Sequence, residues 1–190
     1  MSIDYKHFRF ATAPRTGTTW FIQACEAAGL GKGYKAHVHA LFTDEEKGAF
    51  KVSLVRHPYD WLTSYFKAIL PGSTGVPEVD KLRFIRSDVP MSTMIDSDFE
   101  NFVNQYLREC PGQVGRMFDS YGADSYLRLE DMPYAASELF ASFDVPPHLR
   151  NKCRYIDPQN KSKQYITKDL ELYSRVMEAE REMVDKYEYY

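Results

Sequence analysis

Pro14-Arg15-Thr16-Gly17-Thr18-Thr19-Trp20 is the stretch whose reading decides the fold. A short apolar run, Phe8-Arg9-Phe10-Ala11-Thr12-Ala13, precedes it, and an apolar-periodic segment with the spacing of a helix follows. A strand that turns through a Gly/Thr loop into a helix makes an anion-binding corner. The first N–H groups of a helix have no partner within the helix, and the helix dipole adds partial positive charge there. Arg15 contributes a full charge, and Thr18 and Thr19 contribute hydroxyl donors. The ordinary ATP loop is excluded. It needs G-x-x-x-x-G-K-[ST], with Lys on the outer phosphates and a hydroxyl on magnesium. Here the cation precedes the glycine, and Trp20 stands where a small residue is expected.

A second stretch has the same logic: Arg56-His57-Pro58-Tyr59-Asp60-Trp61-Leu62-Thr63-Ser64-Tyr65-Phe66. It follows Lys51-Val52-Ser53-Leu54-Val55, a β-branched run that reads as a buried parallel strand. Pro58 ends the strand and suits the first turn of a helix. Asp60 and Ser64 then lie four apart on one helical face. A planar guanidinium such as that of Arg56 can donate two parallel hydrogen bonds to a phosphate.

The two stretches together resemble the donor site of the sulfotransferases. The first is similar to that family's 5′-phosphosulfate loop, P-[KR]-[ST]-G-T-T-W. The second is similar to its 3′-phosphate motif, R-x-P-x-D-x-x-x-S-x-[YF]. The resemblance implies a P-loop NTPase-like α/β fold, three-layer α/β/α with a central parallel sheet. It implies binding of 3′-phosphoadenosine-5′-phosphosulfate and release of 3′,5′-adenosine bisphosphate, without a metal. Residues 15–20 would hold the phosphosulfate, with Arg15 near the bridging oxygen and Trp20 near the adenine or in the core. Arg56 and Ser64 would hold the 3′-phosphate. Asn160-Lys161-Ser162-Lys163 resembles the polar segment before the family's terminal helix, which makes Lys161 and Lys163 further candidates for that phosphate.

Sulfuryl transfer also needs a base for the acceptor proton. The candidates are His37 and His39 in Lys35-Ala36-His37-Val38-His39, between the two motifs, where His-using members of the family carry theirs. On an extended chain the two point the same way. An imidazole titrating near pH 6.5 suits the task. The residues do not separate the two, although His37 is slightly preferred. Two other readings stay open: a small P-loop kinase-like phosphotransferase, and a nucleotide-binding module without catalysis.

Composition limits the remaining possibilities. The 190 residues suit a single domain, and 44% hydrophobic with 15% aromatic content suits a packed core. A net charge of −3 disfavours general nucleic-acid binding. His148, Arg150, Lys152, Arg154, Lys161, Lys163 and Lys168 nevertheless cluster, as one wall of a polyanion pocket or as a solvated face. Cys25, Cys110 and Cys153 have neither zinc-ligand nor disulfide-framework spacing. Without a leader or a long apolar run, the chain is expected to be cytoplasmic and to have no membrane span. The acceptor is a small molecule or saccharide on this reading, and its identity is open.

The expected elements alternate. Gly29 stops the first helix. Tyr34–Val38 reads as a second strand, and Thr43-Asp44-Glu45-Glu46 as a capping box. Pro71 to Ser97 is a long connection, expected to be a lid or acceptor-binding loop, with Lys81, Arg83 and Arg86 available for an anionic acceptor. Ser97-Asp98-Phe99-Glu100 reads as another capping box, followed by a stripe of Phe99, Phe102, Val103, Tyr106 and Leu107. Ser125–Leu129 reads as a strand, and a helix through Leu139 and Phe140 follows. From Thr167 a single long amphipathic helix is expected, with Leu170, Tyr173, Val176, Met177, Val184 and Tyr187 inward.

Overall fold

The run Lys51–Val55 forms the best-paired strand of a four-stranded sheet in the computed structural model, which describes residues 2–32, 38–43, 48–69, 98–156 and 169–190. In chain order the described elements are β1 (Ile3–Asp4), β2 (Arg9–Phe10), α1 (Thr18–Ala27), β3 (Lys51–Val55), α2 (Pro58–Ile69), α3 (Phe99–Glu109), α4 (Gln113–Asp119), β4 (Ser125–Arg128), α5 (Tyr134–Ser142), α6 (Pro147–Arg150), α7 (Leu170–Ala179) and α8 (Arg181–Lys186). The sheet order is β1-β2-β3-β4. β2 lies parallel to β3, with Phe10 opposite Val52, and β3 lies parallel to β4, with Val55 opposite Arg128. The chain is therefore mixed α/β with a mostly parallel sheet.

The edge departs from expectation. β1 pairs antiparallel with β2, Ile3 opposite Phe10, so the polar N-terminal stretch folds back as a hairpin. Ile3, Tyr5 and Phe8 supply the buried side chains that make this worthwhile. The sheet is thus not wholly parallel.

The chain divides into two compact units, one of residues 1–56 and 118–161, the other of residues 57–117 and 162–190. The first holds the sheet. Its core is built on Phe10 and Phe21, whose rings lie 4.5 Å apart, with Phe8 and Phe140 packed on Phe21. Cys25 and Cys153 are buried in the same cluster as small apolar groups. α1 ends as the sequence indicates. Gly29 takes φ 74°, its N–H reaches Glu26 O, and Leu30 N–H reaches Cys25 O at 3.0 Å, which satisfies the last carbonyls.

The second unit is helical. Pro58 is the first residue of α2, as its fixed φ suits. Trp61 and Leu62 are fully buried, Trp61 stacks on Tyr65 at 5.1 Å, and Phe66 meets Phe102 at 5.4 Å. On α3, Phe102, Val103 and Tyr106 are buried, and Phe99 and Leu107 lie at the margin of the stripe. Its cap is Asp98, whose carboxylate accepts from Asn101 N–H at 3.0 Å, so the helix begins one residue later than a box on Ser97 would give.

The C-terminal segment is two helices rather than one. α7 ends and α8 begins at Glu180, which is 1% exposed. Its carboxylate turns inward and accepts from Gly115 N–H at 2.8 Å, Val114 N–H at 3.2 Å and the Tyr106 hydroxyl. Those two amides belong to the open first turn of α4, so Glu180 caps a helix far from it in sequence. Leu170 is 74% exposed, against expectation. It is the first helical residue after the Asp169 cap, and Leu172 takes the buried place.

Val38 lies in a turn, and the rest of the expected second strand, Tyr34 to His37, is outside the described residues. So are most of the box at Thr43, the connection Pro71–Ser97, and Lys161, Lys163 and Lys168. No helix among the described residues is long and apolar enough to cross a membrane.

Candidate functional site

The parallel register places three chain segments at one edge of the first unit. β2 runs out into Ala11-Thr12-Ala13 and the Pro14–Gly17 loop. β3 runs out into Arg56. β4 runs out into Leu129. The carboxyl ends of parallel strands are where such sheets bind ligands.

Thr12 shapes the exit from β2. Ala11 N–H still bonds Val52 O at 3.3 Å, as a strand residue would. One residue on, the Thr12 hydroxyl replaces the main chain: it accepts from Leu54 N–H at 3.2 Å and donates to Leu54 O at 3.1 Å. The backbone is thereby released into the loop while the sheet edge stays satisfied. Thr16 is fully buried. Its hydroxyl donates to Ala13 O at 2.7 Å and lies 2.8 Å from that of Thr12. Thr16 therefore sets the loop's shape from within.

Two loop residues are left-handed. Gly17 has φ 88° and stands at the helix N-cap position. A Cβ there would lie 2.4 Å from Leu129 Cδ1, so the positive φ favours glycine and any side chain would also displace the tip of Leu129. Arg15 has φ 69°, a region that side-chain-bearing residues seldom occupy. The first turn of α1 has neither a side-chain cap nor an acidic residue. The Thr18 hydroxyl is buried and meets no hydrogen-bond partner among the described residues. A buried hydroxyl at an uncapped helix start fits an anionic group of a ligand.

The two arginines singled out by the sequence are brought together. Arg56 Nη1 donates to the backbone oxygen of Arg15 at 3.0 Å. The Arg15 guanidinium is pushed below its ordinary pKa, first by burial and then by the like charge of Arg56. Arg128, at the end of β4, is engaged by Asp131 at 2.6 Å.

His39 lies beside the same strand exit. Its Nδ1 is 2.8 Å from Thr12 O. A carbonyl can only accept, so Nδ1 carries the proton in the neutral ring and Nε2 carries the lone pair. Burial lowers the imidazole pKa, and the bond to Thr12 opposes that shift. Thr12 N–H also donates to Val38 O at 2.8 Å, and the Tyr121 hydroxyl donates to His39 O at 3.0 Å.

Trp20 is 7% exposed, and its indole N–H donates to Ile156 O at 3.0 Å, which makes it part of the core. Thr19 is half-buried in the first turn of α1. Ser64 belongs to the second unit, buried on α2. His57 stacks on Tyr173 at 5.4 Å, with Nε2 3.1 Å from the tyrosine hydroxyl, in that unit's aromatic core. His37, Lys161 and Lys163 are outside the described residues. Thr12 and Tyr121 were not singled out by the sequence. Thr12 had one faint signal, being the only polar residue of the buried run from Phe10 to Ala13, whereas nothing local marks Tyr121. No known family model matches this chain, and no curated protein or solved structure is significantly similar to it.

Proposed function

We propose that this chain is a sulfotransferase of the P-loop-like, three-layer kind, moving a sulfuryl group from 3′-phosphoadenosine-5′-phosphosulfate to a hydroxyl or amine acceptor. The observation that carries the reading is the meeting of Arg15 and Arg56 at the strand ends, beside the uncapped start of α1. The Arg56 guanidinium is anchored on the Arg15 main chain, so two cationic side chains issue from one corner, suited to the two anionic ends of a single nucleotide. The buried Thr18 hydroxyl offers a further donor at the Arg15 end.

The donor supplies the sulfuryl group and departs as the bisphosphate. Arg15 offsets charge that develops on the departing phosphate, as cations do in loose, in-line phosphoryl transfer. Arg56 holds the 3′-phosphate and, through its bond to Arg15 O, fixes the loop that carries the other cation. His39 Nε2 takes the proton from the acceptor hydroxyl or amine. Its depressed pKa keeps the ring neutral, and so able to accept, at neutral pH and somewhat below.

The test is transfer of sulfur label from the donor to a panel of phenols, sugars, amines and lipids, with chelator present. Transfer by the wild-type chain and its loss in His39→Asn are expected. Tight binding of the bisphosphate with no transfer to any acceptor would instead indicate a binding module. Transfer of phosphate from ATP with magnesium would indicate a kinase.

A further inference from the structure

We infer that Tyr121 is a positioning residue for His39, holding its main chain so that the Thr12 carbonyl can fix the imidazole in the form that leaves Nε2 to accept a proton. The inference rests on the proposed role of His39 and extends it to a residue with no chemistry of its own.

Among the described residues, hydrogen bonds from Thr12 and Tyr121 hold the Val38–His39 turn. Thr12 N–H donates to Val38 O at 2.8 Å, His39 Nδ1–H donates to Thr12 O at 2.8 Å, and the Tyr121 hydroxyl donates to His39 O at 3.0 Å. Two of these come from one residue, Thr12, whose hydroxyl also bonds Leu54 on β3 and meets Thr16 in the loop. Thr12 thus links the base to the loop that carries Arg15. A single residue provides a pivot, and a pivot needs a second fixed point. Tyr121 gives that point from a different part of the chain, just before β4. It is 5% exposed, and its own backbone N–H is bonded to Phe118 O at 3.2 Å, so the hydroxyl is presented from a rigid place. A base must lie within hydrogen-bond reach of the proton it removes, and small misplacements are costly in rate.

The experiment compares wild-type protein with Tyr121→Phe, which deletes one hydroxyl and keeps the ring. Imidazole nitrogen shifts, assigned with His39→Asn, report the tautomer and titration of His39 without any need for turnover. In the wild-type protein the neutral ring is expected to carry its proton on Nδ1. A proton on Nε2 overturns the inference whatever the variants do. In Tyr121→Phe the turn loosens, and His39 is expected to titrate closer to the ordinary imidazole value as the ring gains water. The acid limb of the kcat profile should move with it, and kcat should fall roughly tenfold or more with little change in KM for the donor. A folded Tyr121→Phe protein with an unchanged His39 titration and unchanged kcat overturns the inference. Full activity of His39→Asn would remove the catalytic reading instead, while the titration would still decide whether Tyr121 holds the ring.

Discussion

At the scale of single residues, the proposed site rests on a few groups whose exchange tests it. Arg15→Ala and Arg56→Ala are each expected to lower turnover about a hundredfold or more, with melting temperature nearly unchanged, because each removes a preorganised cation. Near-normal turnover in either would contradict the assignment. Gly17→Ala is expected to destabilise the chain by about 1–3 kcal/mol and to weaken bisphosphate binding. Its φ of 88° is costly for alanine, and its methyl would strike Leu129. Denaturant titration of Gly17→Ala, alone and with Leu129→Ala, separates these causes: relieving the clash should recover part of the loss and leave the conformational part. What the sequence marks as a charged Gly/Thr loop is a loop in the structure, with Gly17 left-handed and Arg56 bonded to Arg15 O, because charge and backbone freedom in a short loop are local properties. The spacing of residues 37 and 39 does not distinguish the two histidines, and of the pair only His39 is among the described residues, bonded to Thr12 O.

At the scale of elements, the legible features were those set by neighbours in the chain: the strand Lys51–Val55, Pro58 opening α2, and Gly29 closing α1. The C-terminal helix was misread because its break serves another element. Glu180 leaves the helical pattern to cap α4, a demand that arises only once the chain has folded. Burial pushes the Glu180 carboxyl up to about 7, against the pull of the Gly115 and Val114 amides. The sign follows from linkage. A folded-state pKa above the unfolded one means that folding takes up a proton, so the contribution is full below the unfolded value of 4.5 and is lost as pH rises through about 7. Unfolding free energy of the wild-type chain, measured relative to Glu180→Gln, should therefore fall by about 3 kcal/mol between pH 4.5 and pH 7. A pH-independent difference would contradict this. The helix caps make a simpler case. Asp98→Ala and Asp169→Ala each free one first-turn amide and should each cost about 1 kcal/mol in denaturant titrations.

At the scale of the whole molecule, the α/β class was legible because strand and helix signals alternate along the chain. The division into two units was not, since each unit is assembled from two separate stretches of sequence. Because ligand binding stabilises only the folded form, bisphosphate at a hundred times its Kd should raise unfolding free energy by about 2.7 kcal/mol. A melting curve with two steps would show the shift only in the step that reports the unit carrying the loop. The central claim is that the guanidinium groups of residues 15 and 56 grip the two anionic groups of one adenosine nucleotide. Its most direct test is calorimetric titration of the wild-type chain, Arg15→Ala and Arg56→Ala with 3′,5′-adenosine bisphosphate in the presence of chelator. The expected result is one-to-one binding by the wild-type chain and a loss of affinity of about a hundredfold in each variant. Absence of binding by the wild-type chain, or equal affinity in all three proteins, would contradict it.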